Sequence, residues 1–161
     1  MKISESDETF MNFALAQARM AFSLGEVPVG AVLVREGEII AEGFNRRETW
    51  SDSTAHAEIL VIQQASRKLK GWRLSDCSLY VTLEPCPMCA GALVQARIPR
   101  LIFGAFDPKG GGSGSLFNIP EDDRLNHRTL VTSGCLENEC AALLKAFFGD
   151  LRKRTFIQPG V

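Results

Sequence analysis

The order in which helical and strand-like segments follow one another most constrains the fold of this chain. A helical pattern comes first, two strand patterns with a glycine turn follow, and short apolar strands then alternate with helices. The predicted elements are a helix over 7–24, strands over 30–34 and 38–44, a helix over 54–68, a strand over 79–83, a helix over 87–95, strands over 101–105 and 128–132, and a helix over 136–154. This order indicates one α/β domain over residues 1–161, with a mixed central sheet and helices on both faces.

The composition limits the classes of protein and of partner. The acidic, polar N-terminus is unlike a secretory signal, and no apolar run approaches the roughly 18 residues of a membrane helix. We therefore expect a cytoplasmic protein that does not enter a membrane. Its five cysteines are an odd number, which favours thiols or metal ligands over disulfides. The net charge of −1 means that a nucleic-acid partner would have to meet a local basic patch.

Two short segments, 54–58 and 84–89, carry side chains that suit a metal. His56, Cys86 and Cys89 offer one imidazole and two thiolates, a set that fits catalytic zinc with a fourth position left for water. Cys86 and Cys89 are three residues apart, so both sulfurs share one face of a helix's first turn. The positive end of that helix favours thiolates. The sequence predicts one catalytic zinc ion per chain.

Glu58 is interpreted as a proton carrier beside the metal. His56 and Glu58 are two residues apart and would point to nearly opposite sides of a regular helix. They can share a site only if His56 lies at the very start of its helix. The good capping residues Asp52, Ser53 and Thr54 lie just upstream and favour that placement.

Each motif alone has a plainer interpretation. A His-x-Glu on a helix is usually a surface feature, and a Cys-x-x-Cys can be a redox pair or half of a structural zinc site. Cys135 and Cys140 are spaced too loosely for the other half of a four-cysteine site. We expect these two and Cys77 to be small, partly buried thiols, and His127 to be a core or loop residue outside the metal site.

In combination, the two motifs resemble those of zinc-dependent nucleobase deaminases. Over nearly its whole length the chain resembles bacterial tRNA-specific adenosine deaminases. The matching stretches are residues 26–32, 54–58, 79–91, 107–115, 126–128 and 139–142, with Phe147 and Phe148. The deaminase core occurs in cytosine, guanine and adenosine enzymes, so the glycine loop after Asp107 and residues 126–128 are the more specific markers. Ser53 departs from the family, which usually has proline there.

The resemblance implies a three-layer α/β/α, cytidine-deaminase-like fold and a homodimer. The implied activity is hydrolytic conversion of adenosine to inosine at the wobble position of the tRNA anticodon stem-loop. Zinc would sit on His56, Cys86 and Cys89. It would activate water, whose proton Glu58 would carry to the ring nitrogen and then to the departing ammonia.

The resemblance also implies substrate contacts. Asn45 and the Ala57 backbone would contact the flipped base, Asp107 would lie near the ribose, and Lys109 would lie near a phosphate. From the residues alone, Asn45 is more simply interpreted as a turn residue at the end of a hairpin, and Asp107, before Pro108, as an ordinary residue at the start of a loop. The composition of residues 110–115 is also that of a flexible surface loop.

The C-terminal segment 145–156 mixes cations with aromatic side chains, which suits the phosphates and bases of a single-stranded loop. We expect Phe148 and Arg152 to contact RNA. The alternative is an amphipathic helix whose phenylalanines pack on the core.

Two other functions stay open. One is a zinc deaminase of free nucleobases or nucleosides, of guanine or cytidine type. The other is a zinc-stabilised RNA-binding module, against which Glu58 argues, because a structural site has no use for a carboxylate that is not a ligand.

Overall fold

The computed structural model describes residues 2–157, and its elements follow the predicted order. They are α1 (Glu5–Ser23), β1 (Gly30–Arg35), β2 (Glu38–Phe44), α2 (Ala57–Leu69), β3 (Cys77–Leu83), α3 (Pro87–Gln95), β4 (Arg100–Ala105), β5 (Leu130–Thr132) and α4 (Glu137–Ile157). No helix in the described part of the chain has the length and hydrophobicity needed to cross a membrane.

The five strands form one mixed sheet in the order β2-β1-β3-β4-β5. β1 runs antiparallel to both β2 and β3, whereas β3, β4 and β5 are parallel to one another. Val81 in β3 is the register partner of Ala31 on one side and of Phe103 on the other. The predicted mixed sheet is confirmed.

Helices cover both faces of this sheet because its central strands are apolar on both sides. Ala31 and Leu33 of β1 join the core beneath α2, which includes Val61. The alternate residues of β1 join a second core with Met11 and Leu15 of α1. α4 contacts β3, β4 and α1, so it shares the α1 face, and α3 contacts α2 on the other. The result is the expected three-layer α/β/α architecture.

A buried ion pair ties α1 to the middle of the sheet. Asp7 is fully buried and accepts hydrogen bonds from Arg100 Nη1 (2.9 Å), Arg100 Nη2 (2.8 Å) and the Tyr80 hydroxyl (2.8 Å). It also caps α1 by accepting from the main-chain amide of Ser4 (3.0 Å). Burial alone would raise the pKa of Asp7, but these partners hold it well below its usual range.

Candidate active site

Three possible metal donors lie together where α2 and α3 begin. His56 precedes α2 as its N-cap residue, and Cys86 precedes α3 in the same way, with Pro87 in the first turn and Cys89 one turn along. The His56 Nδ1 atom is 3.6 Å from Cys86 Sγ and 3.5 Å from Cys89 Sγ. All three donor atoms lie within 4.8 Å of one another, so this group could hold a metal ion.

The donor separations fit zinc. With Zn–S bonds of about 2.3 Å and Zn–N bonds of about 2.0 Å, tetrahedral coordination places nitrogen and sulfur ligands roughly 3.5 Å apart. The three donors supply the ligand count of a catalytic site, which keeps a fourth position for water. The expected convergence of the two motifs is thus present in the structure.

The three donors shift one another's pKa values. The Cys89 thiol and His56 hold the pKa of Cys86 down to about 4, against the opposing effect of burial. Its hydrogen bond to Cys86 and its own burial raise the pKa of Cys89, and the hydrogen bond with Cys86 raises that of His56. The Cys86 thiolate therefore shares the protons of Cys89 and His56, and a bound metal cation would displace those protons.

Glu58 lies in the first turn of α2, beside these donors, with only 4 % of its surface exposed. It shares the site with His56 because His56 has extended backbone angles (φ −78°, ψ 150°) and stands outside the regular helix. Burial raises the pKa of Glu58, although the charge of His56 opposes this. A carboxyl group poised in this way can both accept and donate a proton.

The start of α2 differs from the prediction in one respect. Asp52, Ser53 and Thr54 do not cap the helix, which begins only at Ala57. The Asp52 carboxylate instead accepts hydrogen bonds from the amide (2.8 Å) and hydroxyl (2.7 Å) of Thr54, which forms a local turn in the preceding loop.

A cavity of about 600 Å³, including the part open to solvent, lies next to the donors. Six of the predicted site residues line it: Asn45, His56, Ala57, Glu58, Cys86 and Asp107. Asn45 is buried, and its side chain is oriented by two bonds, from Nδ2 to the Val27 carbonyl (3.2 Å) and from the Arg47 amide to Oδ1 (3.0 Å). Asn45 therefore both stabilises the turn after β2 and lines the cavity.

The remaining predicted contacts lie elsewhere. Lys109 is exposed, and the cavity lining does not include it. Phe148 (44 % exposed) and Arg152 line a separate groove on α4. Phe147 packs edge-on against Phe22 of α1, so one phenylalanine follows the alternative interpretation. Phe156, at the end of the predicted segment, has a side chain outside the described residues.

Five residues of the cavity wall were not predicted from the sequence, and two of them, Arg47 and Glu84, are charged. Arg47 is exposed and lies in the loop after β2, whereas Glu84 is buried and comes directly after β3. A charged residue placed between a buried strand and Pro-Cys-x-x-Cys was the available signal for Glu84. Burial opposes ionisation of Glu84, yet its hydrogen bonds, from Ser115 above all, hold its pKa below the usual range.

The glycine-rich segment after Asp107 is not a flexible surface loop. Gly111, Gly112 and Ser113 are buried, and the Gly112 amide donates to the Pro85 carbonyl (2.7 Å). The loop therefore packs against the segment that carries Cys86.

The other candidate ligands lie outside the metal group. Cys77, Cys135 and Cys140 are fully buried, more so than expected, and burial raises their pKa to about 11, 11 and 12 respectively. His127 Nε2 is 2.8 Å from the Ile98 carbonyl oxygen. Within residues 2–157, the group of side chains that could hold a metal ion consists of His56, Cys86 and Cys89.

Comparison with known proteins gives a consistent result. The family model of MafB19-like deaminases matches residues 5–152. A tRNA-specific adenosine deaminase from Bacillus subtilis is 56 % identical over 148 residues, 92 % of each chain, and one from Haemophilus influenzae is 48 % identical over 96 % of this chain and 90 % of its own.

Solved structures agree. One, from a study of A-to-I editing by tRNA:A34 deaminases at the wobble position of transfer RNA, has a TM-score of 0.81 and 48 % identity, covering 84 % of this chain and 98 % of its own. A guanine deaminase from Nitrosomonas europaea has a TM-score of 0.77 and 28 % identity, covering 87 % of this chain and 83 % of its own.

Proposed function

Because the chain belongs to the MafB19-like deaminase family, we infer that it is a hydrolase that converts adenosine to inosine at the wobble position of tRNA. The observation that carries this conclusion is that Glu58 lies beside three possible metal donors, His56, Cys86 and Cys89, at the wall of a cavity. The whole-length similarity to tRNA-specific adenosine deaminases selects adenosine in tRNA over other amines. A single domain over residues 1–161 is also proposed, and a family match that covers residues 5–152 supports it.

Zinc is the proposed metal, one ion per chain, held by His56, Cys86 and Cys89. The donor set and its spacing support zinc over magnesium or calcium, which prefer oxygen ligands. When bound, zinc lowers the pKa of a water ligand towards about 7 and so supplies a nucleophile at neutral pH.

Glu58 moves the protons of the reaction. Its carboxylate takes a proton from the attacking water and delivers it to the ring nitrogen beside the carbon that carries the amine. The same carboxylate then takes the proton of the hydroxyl group added to the ring carbon and passes it to the amine, so that the C–N bond breaks, ammonia leaves and a carbonyl forms at that carbon. The burial of Glu58 keeps bulk water from competing for these protons.

Asn45 and Ala57 are proposed to orient the base. The two bonds that Asn45 makes to the main chain leave one amide hydrogen and one oxygen lone pair that can bind a purine edge. Ala57 is the first residue of α2, where main-chain amides have no acceptor within the helix and can donate to a ligand. Asp107, also in the cavity wall, is proposed to contact the ribose.

The RNA outside the cavity is proposed to meet Lys109, Phe148 and Arg152. All three are exposed and lie away from the cavity lining, as contacts to neighbouring nucleotides require. Arg47, exposed at the cavity wall, adds a cation close to the reacting nucleotide. A tRNA substrate agrees with the expected cytoplasmic location.

A homodimer is also proposed. Large apolar side chains in the first turn of α3 and around the glycine loop are 37–59 % exposed: Met88, Phe106, Leu116 and Phe117. A second copy of the chain would shield them from water. Light scattering on the purified protein tests this, and the mass of a single chain at micromolar concentration would contradict it.

The function is tested by incubation with total tRNA followed by sequencing for adenosine-to-inosine changes. We expect changes at the wobble adenosine, and a much higher kcat/KM for an anticodon stem-loop than for free adenosine. Equal kcat/KM for these two substrates, or faster turnover of free guanine, would instead assign the protein to the deaminases of free nucleobases.

A further inference from the structure

Glu84 is a buried charged group at the cavity wall that the proposed chemistry does not use. It is 2 % exposed and follows directly after β3, two residues before Cys86. We propose that Glu84 is a positioning residue for the substrate: its carboxylate holds the loop of residues 107–115 in the shape that presents Asp107 to the bound nucleoside. The substrate half of this inference rests on the proposed function, whereas the loop half does not.

The hydrogen bonds of Glu84 span the whole loop. Oε1 accepts from the main-chain amide of Asp107 (3.1 Å), and Oε2 accepts from the amides of Ser113 (3.1 Å) and Ser115 (3.0 Å). The Ser115 hydroxyl also donates to Oε1. Both ends of the loop therefore converge on one carboxylate. Hydrogen bonds to an ionised acceptor are about twice as strong as neutral ones, so this acceptor can determine the path of the loop.

The glycines of the loop allow this approach. A Cβ atom at Gly111 would overlap the Glu84 carboxylate, and one at Gly112 would lie 2.6 Å from the Pro87 nitrogen. Neither position can hold a side chain unless the loop moves away from Glu84 or from the start of α3. The requirement for glycine here comes from close packing, not from backbone flexibility.

The loop in turn orients Asp107. Asp107 Oδ1 accepts from the amides of Lys109 (3.2 Å) and Gly110 (3.1 Å), and its carbonyl accepts from Gly111 (2.9 Å). The side chain is thus part of the turn that Glu84 anchors, and it reaches the cavity wall from there. Loosening the anchor should misplace Asp107 while the donors His56, Cys86 and Cys89 stay where α2 and α3 put them.

The test compares two variants that break the same contact from opposite sides, Glu84→Gln and Gly111→Ala. We expect both to keep the zinc content of the wild type. Hydrogen exchange at the Ser113 and Ser115 amides should become at least about tenfold faster. KM for an anticodon stem-loop should rise by about tenfold or more while kcat changes less than about threefold, because binding is disturbed and proton transfer is not.

Two matched controls have contacts outside the loop. Asp122→Asn alters another carboxylate that accepts a main-chain amide, that of Arg124 (3.0 Å). Gly71→Ala adds a Cβ that meets nothing within 4 Å. Neither should change exchange at residues 113–115 or KM.

Several results would overturn the inference. Unchanged exchange at residues 113–115 in both variants would show that Glu84 does not hold the loop. Faster exchange with unchanged KM would show that Glu84 stabilises the loop but does not affect substrate binding. Loss of zinc, or a fall in kcat alone, would show that Glu84 acts on the metal donors His56, Cys86 and Cys89 instead. If the wild-type protein were inactive on the stem-loop, the proposed function would be refuted, and with it the effect of Glu84 on the substrate. Hydrogen exchange at residues 113–115 would still show whether Glu84 holds the loop.

Discussion

Replacing Asp7 by Asn isolates the buried ion pair that ties α1 to the sheet. Asn has nearly the same shape and keeps one oxygen that can accept from the Ser4 amide, but its NH2 group would face Arg100 Nη1, so the charge and one hydrogen bond from Arg100 are lost. Removing one partner of a buried pair costs about 3–5 kcal/mol, because the other charge stays buried. The Arg100 side chain is 26 % exposed, so water recovers part of that loss. We expect the free energy of unfolding to fall by about 3 kcal/mol.

For a chain of this size the loss corresponds to a fall in Tm of roughly 6–12 °C. Urea unfolding followed by circular dichroism measures the free energy directly. A matched control is Asp76→Asn, which breaks an exposed pair with Arg35 whose side chains are 50 % and 38 % exposed. That change should cost less than about 1 kcal/mol.

The pH dependence of the free energy of unfolding tests whether the ionised Asp7 carboxylate stabilises the fold. Its pKa is lower in the folded protein than the value of about 3.9 in an unfolded chain, so the stabilisation is complete above that value and is lost as the pH falls below it. The stability gap between wild type and Asp7→Asn should therefore be constant from pH 7 to 5 and narrow below about pH 4. A gap under 1 kcal/mol at neutral pH, or one that does not change with acid, would refute this reasoning.

Other substitutions test the proposed chemistry and RNA contacts. Cys86→Ser or Cys89→Ser should lose most of the bound zinc and all activity and lower Tm, because the remaining donors would face each other without a cation; metal analysis that finds about one zinc per chain would contradict this. Glu58→Gln should keep zinc and fold but lose roughly 10²–10⁴ in kcat, since an amide cannot carry the proton, and near-normal turnover would exclude the role. RNA affinity should fall only shallowly with salt, with a log–log slope of about −1.4 to −2.8 for two to four phosphate contacts. Lys109→Ala and Arg152→Ala should each reduce that slope by about 0.7, and titrations in which the slope stays the same would remove them from the RNA contacts.

The element order was predictable because each signal is local. β1 is apolar on both faces, so helices had to cover both sides of the sheet, and the three-residue spacing of Cys86 and Cys89 works within one helical turn. The start of α2 was predicted wrongly for a physical reason. Asp52 is a good capping residue, but its carboxylate is already engaged by Thr54, and local sequence does not reveal that choice.

The role of Glu84 could not be predicted from sequence because its partners are distant. The amides that it accepts from lie 23 to 31 residues along the chain, and only the folded sheet brings them together. In the same way, the pattern of residues 145–156 could not separate Phe147, which packs on α1, from Phe148, which is exposed. Adjacent aromatic residues on a helix differ in surroundings that the rest of the fold decides.

The placement of the metal donors at two helix starts has an evolutionary consequence. His56, Cys86 and Cys89 are held by α2 and α3, whereas Asn45, Arg47 and Asp107 reach the cavity from loops. The proposed metal donors and proton carrier thus lie at helix starts, whereas the proposed substrate contacts other than Ala57 lie mostly in loops. Loops can diverge without disturbing the helix starts, and a guanine deaminase from Nitrosomonas europaea has a similar fold at 28 % identity. We therefore expect a change of substrate preference in this architecture to need changes in the loops first, with the helix starts left as they are.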